Sequence, residues 1–339
     1  MDSKNIKELI GLCKEKNIKG YSGKKKNELI KLLNKNELIP NISESFLVGD
    51  NLELLKGLES ESVDFIYMDP PYNTGRNFYY FEDRFADFPH FMTERLLECK
   101  RVLKKNGNIV IHVEPKISHY IRNICDSLDL IFKNEIVWHS GGNSKNKHQL
   151  GRNHDTLIVV SKIEKSKFFP MYHEYPPEYH KKLKMCPINN KLFSTSAAHN
   201  SQAEVNPRPN LVYDWNGHTK QWYICLEKMQ ELHLTGRLEY NADGIPRIKR
   251  FLDELEGIPV RDTWDDISSI QSNEKTRYAT QKPIKLLERI VQLYSSEDDL
   301  CLDPFAGSGT LGRACINLNR KYLLFDINQE AKLVFNETI

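Results

Sequence analysis

Val63-Asp64-Phe65-Ile66-Tyr67-Met68-Asp69-Pro70-Pro71-Tyr72 is an apolar-rich run stopped by two prolines. Proline lacks an N–H and cannot continue a central strand, so the run reads as a strand over Val63–Met68 whose chain is forced out at its carboxyl end. Open α/β sheets bind ligands at that end. A carboxylate there, Asp69, accepts a hydrogen bond from an amino group. So does the Pro70 carbonyl, which the rigid turn holds still. Tyr72 offers a flat face for a base to stack on, a contact worth roughly 1–3 kcal/mol. Taken alone, the stretch also fits a strand-ending turn with an ordinary surface aspartate.

Outward from this stretch, strand and helix patterns alternate. Strands are expected at Ser45–Val48, Asn108–Val113, Glu135–His139, Thr156–Ser161, Leu300–Leu302 and Tyr322–Asp326. Helices are expected at Asn51–Leu58, Pro89–Leu103, Ser118–Leu128, Pro283–Tyr294, Leu311–Leu318 and Asn328–Phe335. The alternation predicts a mostly parallel, doubly wound α/β sheet. Residues 162–265 break the rhythm with many Pro, Tyr, Trp and Lys residues and read as an inserted module. Residues 1–38 read as two short helices around Ile18–Lys26, with Ile6, Leu9, Ile10 and Cys13 on one face of the first. The predicted organisation is therefore a helical motif at 1–38, a first part of the sheet domain at 45–161, the insertion at 162–265, and the remainder of the sheet domain at 266–339.

A second motif, Asp303-Pro304-Phe305-Ala306-Gly307-Ser308-Gly309-Thr310, lies between an expected strand and an expected helix. Gly307 and Gly309 let a backbone approach a ligand closely, and the helix N-terminus adds partial positive charge. The next strand ends at Asp326, where an acid suits the two hydroxyls of a ribose. A glycine turn of this kind equally fits a dinucleotide site or a tight connection.

Composition bounds the alternatives. Hydrophobic residues make up 40% of the 339 and charged residues 28%, enough apolar material for a buried core. No apolar run approaches the roughly 18–20 residues of a membrane span, and the start of the chain lacks a secretory signal's apolar stretch. The expected location is cytoplasmic, with no membrane partner. The seven cysteines show neither zinc-ligand spacing nor a disulfide framework, so no metal is expected. The net charge of +2 hides an asymmetry: Met1–Asn36 holds ten lysines and four acids, about +6, against about −4 for the rest. That segment suits a polyanionic partner.

Taken together, the two motifs resemble the amino-methyltransferases of DNA, in particular the permuted beta class that includes the modification subunits of type III restriction systems. The resemblance rests on Asp69–Gly75, on Thr280-Gln281-Lys282-Pro283 and on Asp303–Thr310. It extends to Val48–Asn51, Asn134–Trp138 and His154–Thr156, and so covers roughly residues 45–335. It implies S-adenosylmethionine as cofactor and a chain that is circularly permuted, its cofactor strands coming last. It implies that Asp69 and the Pro70 carbonyl hold the target amino group, with Pro71 completing the turn, and that Tyr72 stacks on a flipped base. Asp303, Phe305, Gly307, Gly309 and Thr310 are implied as the cofactor loop, Asp326 at the ribose, Asp50 near the adenine and Lys282 at the methionine carboxylate. The expected substrate is adenine N6 in double-stranded DNA. Cytosine N4 is the alternative, as is a non-catalytic DNA-binding protein that retains the fold. A homodimer and an accompanying restriction endonuclease subunit are left open.

The basic loop Ser140–Asn153 supplies Lys145, Lys147 and Arg152 as candidates for phosphate contact, or is simply solvated. The helical pair with Lys24, Lys25 and Lys26 resembles a SAP-type DNA-binding motif; a solvated helical hairpin is the alternative. In the insertion, where relatives keep their target-recognition region, Trp215, Trp222, Arg247, Lys249 and Arg250 are compatible with groove reading, although buried tryptophans are more often core.

Overall fold

The structure, a computed structural model, describes residues 4–15, 20–35, 44–75, 83–141, 148, 150–272, 274–278 and 280–339. Lys145 and Lys147 lie outside these. The chain divides into two compact units, Met1–Pro170 with Arg261–Ile339, and Met171–Val260. Residues 162–170 and 261–265, expected in the insertion, fall with the first unit.

The first unit carries an eight-stranded sheet. Its strands are β1 (Ser45–Val48), β2 (Val63–Met68), β3 (Leu103–Val113), β4 (Ile131–Trp138), β5 (Asp155–Ser161), β6 (Thr263–Trp264), β7 (Leu300–Asp303) and β8 (Lys321–Asp326). In space they run β1-β8-β7-β2-β3-β5-β4-β6. All pairings are parallel except those of β5, which is antiparallel to both β3 and β4. Every residue of β2 and β5 is buried, as continuous apolar runs in central strands should be. The core joins Ile66 and Met68 of β2, Ile109 and Ile111 of β3, Leu302 of β7 and Phe325 of β8. Met92, Leu96 and Cys99 of the helix α4 (Phe88–Val102) complete it. The two-residue β6 was too short to be read from the sequence.

β3 begins five residues earlier than its apolar pattern suggests. Its first part pairs with Val63 through a register shift. Gly107 makes this possible, because a Cβ there would meet the Asp64 carbonyl at 2.5 Å. Beneath it, Asp64 gathers Lys104 Nζ at 2.7 Å, Lys167 Nζ at 3.0 Å and the Leu300 N–H at 3.1 Å. Burial alone would raise the Asp64 pKa, but the two lysines and the Leu300 N–H outweigh it and hold the carboxyl below its ordinary value.

Towards the start of the chain, α1 (Ile6–Glu15) and α2 (Lys26–Lys35) close a small core of Leu9, Cys13 and Leu29, with Tyr21 against it. Ile6, expected on the apolar face of α1, is exposed. Lys25 is exposed and Lys24 half-buried.

The second unit holds a four-stranded antiparallel sheet ordered Leu238–Tyr240, Pro246–Phe251, Leu192–Ala197, Lys184–Met185. A hairpin, Val212–Trp215 with His218–Gln221, turns at Asn216-Gly217, both with positive φ. Trp222 is fully buried here and donates to the Tyr213 carbonyl at 2.9 Å. Lys249 is buried too, its ammonium on the Gly236 carbonyl at 2.9 Å. Neither is free for groove reading; Arg247 and Arg250 are exposed. Among the described residues no helix is long and apolar enough to cross a membrane.

Candidate active site

β7 and β2 are adjacent and parallel, with Cys301 opposite Phe65 and Leu302 opposite Ile66. From this pair the chain order runs outward in both directions, so the crevice between them is a topological switch point. Both chains leave their strands here through a proline, and the two sequence motifs meet. They line one cavity of about 1430 Å³, larger than a single small-ligand site and roomy enough for two organic groups side by side. Asp50, Asp69–Tyr72, Lys282, Asp303–Ser308, Thr310 and Asp326 all border it. Gly309 does not line it.

Side chains brace the Asp69–Tyr72 turn. Tyr72 donates its hydroxyl to Asp69 Oδ1 at 2.6 Å. Burial raises the Tyr72 pKa well above its ordinary value and the nearby Asp69 charge adds to this, so the group stays a phenol and a donor. Lys282 Nζ binds Asp69 Oδ2 and lies 3.3 Å from the Tyr72 hydroxyl. Lys282 was expected at the cofactor's carboxylate; in the structure its partner is the Asp69 carboxylate. On the far side of the turn, Asp83 accepts from the N–H groups of Asn73 and Thr74 at 2.7 and 2.8 Å. It thereby steadies Asn73, whose φ is +52°, a left-handed conformation uncommon for a side-chain-bearing residue. Asp83 is 2% exposed and was not singled out from the sequence.

The glycine loop is held through its backbone. Asp326 Oδ2 accepts from the Gly307 N–H at 2.8 Å, and Asp303 Oδ1 from the Phe305 N–H at 2.9 Å. Burial raises both carboxyl pKa values, that of Asp303 strongly. Gly309 has φ +73° and packs on Phe335; a Cβ there would come within 2.3 Å of that ring. Val48 at the end of β1 stands opposite Asp326 at the end of β8, which brings Asp50 and Asp326 to neighbouring strand ends. Asp50 also caps the short helix α3 (Asn51–Lys56), its Oδ1 accepting from the Leu52 N–H at 2.9 Å.

A third group lies along the rim at β3 and β5. Tyr67 meets His112 Nδ1 at 2.8 Å, and His112 Nε2 meets Asp155 at 3.3 Å. Burial lowers the His112 pKa, so the neutral ring accepts from Tyr67 and donates to Asp155. Arg152, expected at DNA, is half-exposed and pairs with Glu114.

The comparisons with known proteins agree with this architecture. A family model described as DNA methylase, of the N6/N4 type, matches residues 63–337. The DNA adenine methyltransferase YhdJ of Escherichia coli K12 is 30% identical over 298 residues, covering 86% of this chain and 80% of that protein. Type II methyltransferase M.EcaI of Enterobacter cloacae is 27% identical, covering 85% and 67%. The StyLTI Mod subunit of Salmonella typhimurium, a type III restriction-modification enzyme, is 24% identical; the match covers 84% of this chain and about half, 52%, of that subunit. Among solved structures, the cytosine-N4-specific PvuII DNA methyltransferase shares the fold, with TM-score 0.50 at 16% identity, covering 87% of this chain and 86% of that one. Residues 2–41 are similar to the N-terminal domain of Rho termination factor. The chain belongs to the DNA methylase family. It is a DNA methyltransferase whose methyl donor is S-adenosylmethionine.

Proposed function

We propose that the enzyme methylates adenine N6 on a base flipped out of double-stranded DNA, with Asp69 and the Pro70 carbonyl gripping the amino group. The observation that carries this reading is the adjacency of β7 and β2, which brings Asp69-Pro70-Pro71-Tyr72 and the Asp303–Thr310 loop to one cavity. The cavity fits the methyl donor: its volume leaves room for a nucleoside beside a base, and two carboxylates, Asp50 and Asp326, stand at neighbouring strand ends. The donor supplies a methyl group already activated by a sulfonium.

The chain's own residues then have a task of placement. An amine conjugated to a base is a poor nucleophile, and hydrogen bonds from its protons to Asp69 and Pro70 return electron density to nitrogen. The Lys282 ammonium, bound to Asp69 Oδ2, holds that carboxyl in place at the turn. Tyr72 stacks on the base and orients Asp69 through its hydroxyl. Phe305, Gly307 and Thr310 border the donor, Asp326 takes its ribose hydroxyls, and Asp303 and Gly309 hold the loop. Flipping costs a few kcal/mol, offset in part by this stacking.

The same reading treats the chain as circularly permuted, with β1 completing the sheet beside β8. It assigns target recognition to Met171–Val260 and DNA tethering to the helical pair at 1–38. A homodimer and a partner restriction subunit fit the same family resemblance.

The test is direct. Incubated with DNA and S-adenosylmethionine and digested to nucleosides, the product is expected to contain N6-methyladenosine in its deoxy form; N4-methylated deoxycytidine would select the cytosine reading, and no methylated nucleoside would refute both. Asp69→Ala is expected to abolish transfer while retaining binding of S-adenosylhomocysteine.

A further inference from the structure

Arg95 sits on α4, in a stretch that carries no motif, yet its side chain is almost fully buried and borders the cavity. Its guanidinium spends its donors on the cofactor wall. Nε donates to Asn51 Oδ1 at 2.7 Å, and one terminal nitrogen pairs with Asp50 Oδ2 at 3.2 Å. Asn51, itself buried, passes the contact on by donating Nδ2 to the Pro304 carbonyl at 2.7 Å. The other terminal nitrogen bonds the Phe91 carbonyl at 3.1 Å, and the guanidinium carbon lies 3.6 Å above the Phe91 ring. That ring in turn stands 6.3 Å from Phe305. Two routes, one polar through Asn51 and one aromatic through Phe91, therefore run from a single guanidinium to Pro304-Phe305. A third contact fixes the Asp50 oxygen that α3 does not use.

Burying a cation is costly, and burial depresses the Arg95 pKa against the pull of Asp50. A lysine cannot replace the fork, since a single ammonium lacks the planar set of donors that reaches Asn51, Asp50 and the Phe91 carbonyl together. The geometry points to Arg95 as a positioning residue for the methyl donor. It touches neither reacting atom and sets donor affinity by holding Asp50 and the Pro304-Phe305 bend in register. This rests on the proposed assignment of those residues to the donor.

The experiment uses the full chain and S-adenosylhomocysteine as the calorimetric probe, with methyl-transfer kinetics alongside. Arg95→Lys is expected to weaken probe binding about tenfold, the loss of one charge-assisted hydrogen bond. It should raise KM for S-adenosylmethionine to match, with kcat at saturating donor and KM for DNA within about twofold of wild type. Asn51→Asp keeps the acceptor for Arg95 but sets an oxygen against the Pro304 carbonyl; it is expected to weaken the probe similarly and carries the test if Arg95→Lys does not fold. Unchanged probe affinity in the folded variants overturns the inference, as does a fall in kcat with affinity intact. A wild-type chain that binds no probe would instead refute the assignment of the cavity to the donor.

Discussion

The two turns that meet in the cavity are held in different ways. The glycine loop is held through its backbone: left-handed glycines, backbone N–H groups on Asp303 and Asp326, and a ring of Phe335 against Gly309. The Asp69–Tyr72 turn is held by side chains that reach it, Asp83 just beyond the turn and Lys282 from another part of the chain. One turn is defined by what it lacks, a Cβ, and the other by what reaches it. Damage to the first should therefore appear as lost donor binding and stability, and damage to the second as lost rate.

Asp69→Ala should show the largest rate effect, a fall in kcat of about a thousandfold or more, about 4 kcal/mol in the barrier, with donor affinity kept. Gly309→Ala should be the worst change in the glycine loop. The close contact with Phe335 adds to the strain of a left-handed alanine, for a loss of about 2–4 kcal/mol in stability. Thermal melting and probe binding would check it, and combining it with Phe335→Ala, itself costly at a buried ring, should lose less stability than the two changes added together. Asp83→Asn keeps the shape but turns an amide toward two N–H donors and the Thr74 hydroxyl. It should lower kcat about tenfold, worth about 1.4 kcal/mol, and leave S-adenosylhomocysteine affinity within about twofold. If Asp83→Asn instead abolishes donor binding, the division between the two turns is wrong.

The Asp64 cluster touches neither turn and should have the smallest effect on catalysis. Its folded-state pKa is depressed below the ordinary 3.8, so its stabilisation is present above that value and disappears as pH falls through the folded pKa. Asp64→Asn should cost about 1–3 kcal/mol at pH 7. The gap in melting temperature from wild type should shrink as the pH is lowered below about 3.8; a gap independent of pH would place the cost in packing rather than charge.

The alternation of apolar runs made the sheet legible, because central strands announce themselves as continuous apolar segments such as Leu157–Val160. The prolines and glycines made both turns legible, since those residues have backbone consequences that need no context. Asp83, Arg95 and the Tyr67–His112–Asp155 chain were not legible. Each is an ordinary polar residue whose meaning comes from partners outside its own local pattern, a turn some ten residues back for Asp83 and side chains more than 40 residues away for Arg95 and His112. The second unit was opaque for another reason: its strands are short and half-exposed, so neither period survives. Even its Asn216-Gly217 hairpin turn lies among many polar residues.

The side-by-side pairing of β1 with β8 also sets a schedule. A ribosome making this protein releases Asp69 early, but β2 gains its neighbour β7, and β7 gains β8, only after the insertion has been synthesised. Such long-range closure is slow and leaves strand edges exposed while it waits. A nascent chain stalled in the insertion would carry the turn proposed to grip the amine without the loop proposed to hold the methyl donor, and so would be unable to modify DNA.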